Sequence, residues 1–299
     1  NRAAIYEQFF RQIARGKAEQ DSDEHILLSE ASDQLKDRLV KRRWLEAESK
    51  REDAMLWLLA RVAWRGHCLG QQERRLKNYE VQKILRDELE LDDEQIERTV
   101  RIGLLVAIQA DPHDEDHEIL FGHKSFQEYL VGRFWLNILE TIIAGNKEAA
   151  ACENLLMDGR LLGDLEDASF DFLVELLSGL PEQKRKSIFQ WAQTAFDREE
   201  LERRTLREDR WYRVRESALS IGSHCLDQTG LMVTNPLGLR SLLASAFLFN
   251  HLLDVRAPFA SLPGANLCWT RILHANLHGA NLSGANLSGA NLSETTLYK

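Results

Sequence analysis

The spacing of apolar residues changes along the chain. Over residues 52–66, Leu56, Leu59, Ala60, Ala63 and Trp64 recur at three- and four-residue intervals, which predicts a helix with one apolar stripe. Val81, Ile84, Leu85 and Leu89 repeat that pattern over 79–90. Asp92 and Asp93 open a third helical segment with Ile96, Val100 and Ile102 inward, and acids suit the positive end of a helix. Residues 104–110 and 118–121 then read as two strands around the polar turn 111–116. Three helices followed by a hairpin predict a winged helix. A further helix is expected from a capping box of Ser125 and Glu128 to about residue 140, burying Phe126, Leu130, Phe134 and Ile138. Helical periodicity continues over 149–157, 165–177, 181–196, 199–225 and 237–253, with Pro181 suited to a first turn. Short helices of this kind predict an arm. Residues 1–45 predict a small helical lid.

A different period begins near residue 260. Leu262, Leu267, Ile272, Leu277, Leu282, Leu287, Leu292 and Leu297 recur every five residues. Two places before them stand Ala260, Ala265, Thr270, Ala275, Ala280, Ala285, Ala290 and Thr295. Five matches neither the period of a strand nor that of a helix. A chain that turns through a right angle every five residues would put each Leu and Ala inside a square tube. Four faces make a coil of about 20 residues, and coils would stack at about 4.8 Å. The pattern resembles the pentapeptide-repeat family, A-(D/N)-L-x-x, and the resemblance implies a right-handed quadrilateral β-helix. A weaker upstream extension is expected at Leu242, Phe247 and Leu252. Eight repeats make only two coils, so either the helical part caps one end or the array continues past Lys299.

Some proteins of that family mimic DNA, which needs a carpet of carboxylates. Here the residue before the central Leu is Asn in the regular repeats and never Asp, and Glu294 is the only acid between 257 and 299. Mimicry is therefore not expected; a spacer or a protein-recognition surface is. The winged helix is not expected to read duplex DNA either. Its third helix carries Asp92, Asp93, Glu94 and Glu97 against Arg98 and Arg101, and the wing tip is acidic.

His123 stands just ahead of the expected helix start, where free backbone N–H groups favour an anion. Residues 120–130, LFGHKSFQEYL, resemble the F-x-H-x-S-F-Q-E-(F/Y) signature that closes the winged helix of NACHT-type (STAND) signalling NTPases. Ile5, Tyr6, Glu7, Gln8, Phe9 and Phe10 resemble a segment after that family's sensor region. The resemblance covers roughly residues 1–140. It implies that His123 touches the β-phosphate of bound ADP and holds the protein shut. The chain departs from the family in having no G-x-x-x-x-G-K-[ST] loop; Gly16 and Lys17 lack the preceding glycine. The nucleotide-binding core is expected before Asn1, and this chain alone is not expected to hydrolyse ATP.

Composition adds limits. The net charge of −9 sits in the helical part, since residues 254–299 carry only Arg256, Arg271 and Lys299 against Asp254 and Glu294. The longest apolar stretch, 242–253, is broken by Ser245, Asn250 and His251, short of the ~18 residues a membrane helix needs. Cys68, Cys152, Cys225 and Cys268 are scattered with no C-x-x-C pair, which suits a reducing cytoplasm and no thiolate metal site. His113 and His117, with Asp114 and Asp116, lie in a turn with no helix to align them, so a solvated wing tip is expected. Arg203, Arg207 and Arg210 form a basic stripe, but Glu199 and Glu200 precede Arg203 and Arg204 by four, the order of a solvated ion-paired face. No nucleophile motif is present.

The expected architecture is mainly α: a helical lid (1–48), a winged helix (49–123) and a helical arm (124–253), followed by the repeat β-helix (254–299). The expected function is the regulatory and sensing half of a nucleotide-controlled switch. ADP or ATP would bind only in the complete protein, held partly by His123. Its partners would be the upstream nucleotide domain, a protein trigger on the repeats and further copies when active, with no membrane. A non-switching adaptor built of helical and repeat modules is the alternative. An enzyme acting through an unrecognised site is the least supported reading.

Overall fold

A computed structural model describes residues 2–16, 23–69, 75–94, 118–121, 123–145, 149–159, 168–197, 251–253, 271–273 and 277–297, with single residues (161, 214, 217, 218, 221, 222 and 267) between them. The described chain is mainly helical and divides into two units. Among these residues no helix is long and apolar enough to cross a membrane.

The first unit comprises residues 1–159 and 165–176. It contains α1 (Arg2–Gly16), α2 (Asp23–Lys41), α3 (Arg51–Cys68), β1 (Arg75–Lys77) and α4 (Asn78–Lys83), which runs into a π turn, Ile84–Glu88. β2 (Glu118–Leu120), α5 (Lys124–Ile143), α6 (Ala149–Leu155) and most of α7 (Ser169–Ser178) complete it. The expected single stripe on residues 52–66 is exceeded: every residue from Ala54 to Trp64 is buried. The reason is tertiary, because α1, α2 and α5 all pack against α3, and a helix covered on all sides forms the centre of a core. Elements from the expected segments 1–48, 49–123 and 124–253 therefore share this core.

Burying α3 also buries Arg61, 2% exposed, and its charge is met inside the unit. It donates to both carboxylate oxygens of Glu88, at 2.8 and 2.5 Å, and lies 3.5 Å from Asp158. A buried charge is tolerated only with such partners. Trp64 donates its indole N–H to the Leu155 carbonyl at 2.8 Å. Helices α5 and α7 approach closely at Gly132, where a Cβ would lie 2.8 Å from the Ser169 carbonyl and 2.9 Å from the Leu173 nitrogen.

β1 is a strand that the apolar pattern does not announce. It pairs antiparallel with β2, Arg75 opposite Leu120 and Lys77 opposite Glu118. The expected third helix is described only at its first turn, and the strand 104–110 lies outside the described residues.

The second unit comprises 160–164 and 177–299. Helix α8 (Glu182–Asp197) starts one residue after Pro181, which lies just ahead of the first turn rather than in it, and buries Ile188, Phe189, Ala192 and Ala195. Arg185 donates to the carbonyls of Ser178 (3.1 Å) and Leu180 (2.8 Å). Most of the expected helices 199–225 and 237–253 lies outside the described residues, but the end of the latter is corrected. Residues 251–253 form strand β3, which pairs parallel with β4 (Arg271–Leu273), Leu252 beside Ile272. The partners are twenty residues apart. Leu252 stands in phase with the column of central Leu residues, so ladder pairing there overrides the helical periodicity.

Candidate functional site

The expected site residue, His123, immediately precedes α5. Its backbone is extended (φ −148°, ψ 146°), and it is itself the N-cap: Nδ1 accepts from the backbone N–H of Ser125 at 3.1 Å. This corrects the expected capping box. Ser125 lies inside the helix rather than at its cap, and the helix runs to Ile143 rather than to about 140. The carboxylate of Glu128 is drawn to the backbone N–H of Ala168 at 3.2 Å, forty residues away, with Lys124 at 3.5 Å. A long-range donor has taken the side chain that a capping box would use locally.

His123 is exposed, and its ring lies 6.1 Å from that of Phe126. Ser125 Oγ is 2.6 Å from the same Nδ1 and 2.8 Å from the hydroxyl of Tyr6 on α1. Nε2 has no partner among the described residues and faces away from the cap. Residues 5–10 and 123–129 thus meet. Tyr6 stacks on Tyr129 (5.5 Å) and meets Phe126 edge-on (5.8 Å). Phe10 stacks on Tyr129 (5.6 Å) and meets Phe126 edge-on (5.6 Å). Phe9 lies against Phe126 at 5.2 Å and stays 39% exposed, while Ile5, one turn earlier, is 69% exposed. Neither segment's pattern shows that they touch; aromatic residues four apart on α1 (Tyr6, Phe10) and three apart on α5 (Phe126, Tyr129) were the available signal.

Charges beneath this cluster hold α1 in place. Glu7 accepts from the Tyr129 hydroxyl and pairs with Arg11 (2.8 Å) and Arg133 (3.4 Å). Arg11 also pairs with Asp53 at the start of α3. Burial pushes the Tyr129 hydroxyl well above its usual range, and neighbouring Glu7 pushes it further, so it remains a donor at any physiological pH. At the start of α1, burial opposes ionisation of Glu175. The backbone N–H of Ala3 (2.9 Å) and the Arg2 guanidinium (2.8 Å) outweigh it and hold that carboxyl below its ordinary range.

The repeats offer a second surface. Hydrogen bonds from Ala280, Ala285, Ala290 and Thr295 back to Leu277, Leu282, Leu287 and Leu292, at 2.9–3.0 Å, close four successive turns. Their third residues are Gly279, Gly284, Gly289 and Glu294, all at positive φ between 57° and 69°, the conformation a type II turn demands. Asn281, Asn286 and Asn291 each accept the N–H two residues on at 3.0 Å, forming Asx turns. The Asn oxygens are therefore occupied within their own turns, a role the sequence pattern did not disclose. Leu267 and Leu277 are buried and donate their N–H groups to the backbone carbonyls of Asn286 (2.8 Å) and Thr296 (2.9 Å), each nineteen residues on.

Among the described residues no cluster of His, Cys, Asp and Glu could hold a metal ion. His113, His117, Arg203, Arg207 and Arg210 lie outside the described residues, as do Gly122 and Lys17. No curated protein and no solved structure matches the chain. The family model for pentapeptide repeats matches residues 260–297, in eight copies.

Proposed function

We propose that the chain is the regulatory and sensing half of a NACHT-type nucleotide-controlled signalling switch. His123 would hold the β-phosphate of ADP in the closed state, and the repeats would recognise a protein. The observation that carries this reading is the interlock of residues 5–10 with 123–129. Two segments chosen for resemblance to one family, more than a hundred residues apart, form one aromatic cluster with His123 at its edge. An Nε2–H beside a helix N-terminus is suited to an anionic oxygen.

Residues 49–123 belong to this reading as a winged helix. Its support is the order of helix, strand, helix and returning strand, with β1 paired to β2. The winged helix would dock on an upstream nucleotide domain and would not read duplex DNA. The repeats are proposed as a right-handed quadrilateral β-helix, supported by the twenty-residue register and the turn every five residues. A nearly uncharged surface of Asn and Ser fits recognition of a protein better than of a polyanion. The location proposed is cytoplasmic, and further copies would associate in the active state.

Extracting nucleotide from the purified complete protein tests the reading. About one equivalent of ADP per chain is expected. A complete protein that carries none and binds none when ADP is added is the adaptor alternative.

A further inference from the structure

We propose that Tyr6 is the positioning residue of His123. Through Ser125 it holds the imidazole with its proton on Nε2, and so ties the outward-facing donor of His123 to the docking of α1. One group in this cluster has a role that is not adjustable. The backbone N–H of Ser125 can only donate, and it points at Nδ1 from 3.1 Å. Nδ1 must therefore present its lone pair, which puts the proton of the neutral ring on Nε2. Ser125 Oγ, 2.6 Å from the same Nδ1, must then donate to it as well. With its own proton committed, Ser125 Oγ is left as the acceptor for the Tyr6 hydroxyl at 2.8 Å. One obligatory donor fixes the direction of the whole relay, from Tyr6 through Ser125 to His123.

The relay crosses between two helices. Tyr6 belongs to α1 and is seated by Tyr129 (5.5 Å), Phe126 (5.8 Å) and Phe172 (5.2 Å), while Ser125 and His123 belong to the start of α5. If α1 shifts, the Ser125 hydroxyl loses its donor and is free to turn from the ring. Nδ1 then keeps only the backbone bond, and the ring is held less firmly. The outward Nε2–H is consequently strongest as a donor when α1 is docked. Only the identity of the anion it meets, a nucleotide phosphate, rests on the proposed function; the relay itself does not.

The test is 15N NMR of histidine-labelled 299-residue chain at a pH where the ring is neutral, with His123→Gln assigning the signal. Averaged shifts of the two ring nitrogens give the tautomer ratio. Wild type is expected almost wholly as the Nε2–H form. Tyr6→Phe removes one hydroxyl and keeps the ring packing; the bond lost is one step from the ring, so the minor tautomer should rise through cooperativity, by up to about twofold. Ser125→Ala breaks the relay at its middle and should do at least as much. A dominant Nδ1–H form in wild type, or a ratio moved by neither variant, overturns the proposal. A loosened but purely structural contact would increase amide exchange along α1 without moving the ratio, and that outcome also overturns it. Because no nucleotide is present, failure here is distinct from failure of the nucleotide reading, which ADP binding to the complete protein decides.

Discussion

Gly132→Ala probes the packing that places α5, and hence His123 at its start. The added Cβ would fall 2.8 Å from the Ser169 carbonyl, 2.9 Å from the Leu173 nitrogen and 3.3 Å from Phe172 Cβ. Two of these atoms are backbone of α7 and cannot step aside unless the helix moves. Overpacking of this kind costs about 1–3 kcal/mol. Alanine recovers about 0.5–1 kcal/mol of helix propensity over glycine. The net expectation is a loss of up to about 2.5 kcal/mol, or up to about 10 °C in Tm for a unit of this size. Gly66→Ala is the internal control, because its nearest neighbour, at 3.2 Å, is the amide nitrogen of Gln127, the end of a flexible side chain. It should be neutral or slightly stabilising. Urea unfolding followed by tryptophan fluorescence measures both. A Gly132→Ala chain as stable as Gly66→Ala would refute the close approach of α5 and α7, and with it the account of how the start of α5 is held.

Two further outcomes follow from named contacts. Asn286→Ala removes the Asx-turn acceptor for Ser288 and should cost about 1 kcal/mol in the stability of the repeats, whereas Asn286→Asp keeps an acceptor and should be nearly silent; equal losses would mean the Asn side chain does not support the turn. Glu175 has its folded pKa below the unfolded value near 4.3, so its stabilising contribution is full above about pH 5 and vanishes as pH falls through the lower folded value. Glu175→Gln should therefore lower stability at neutral pH and flatten its decline in acid, and a variant with the wild-type acid profile would contradict that role.

How much was legible in the sequence depended on how local the cause was. The repeat period was readable because a turn closes every five residues, and Leu252 falls beside Ile272 in the phase the pattern implies; burial did not follow the period, since Leu277 is buried and Leu297 is 45% exposed. Helices α3 and α8 were readable from their spacing and flanking residues. The start of α5 was misread: Ser125 and Glu128 make a plausible capping box, but a backbone N–H at Ala168 claims Glu128 and His123 supplies the cap. β1 was not readable, since three residues, two of them charged, show no alternation and exist as a strand through pairing with β2. The expected apolar stripe of α3 understated its burial because no local pattern counts how many helices will cover it. Nothing in the pattern marked Glu294 as the occupant of the left-handed turn position held elsewhere by glycine, at φ 57°. His123 was singled out correctly as a residue beside a helix start, but its tie to Tyr6 spans 119 residues and needs the fold.

The most direct measurement of the central claim is ADP affinity of the complete protein with and without His123. His123→Ala would remove the proposed donor to the diphosphate and also the Nδ1 cap on the Ser125 N–H, while Phe126, Tyr129 and Phe134 keep the rest of the helix packed. A hydrogen bond to a charged group is worth about 1.5–3 kcal/mol, so calorimetric titration should show ADP binding about 10–100-fold more weakly. The variant should also associate without its trigger, since the closed state loses the same free energy. Unchanged ADP affinity in a normally folded variant would contradict the account and leave His123 as a helix cap.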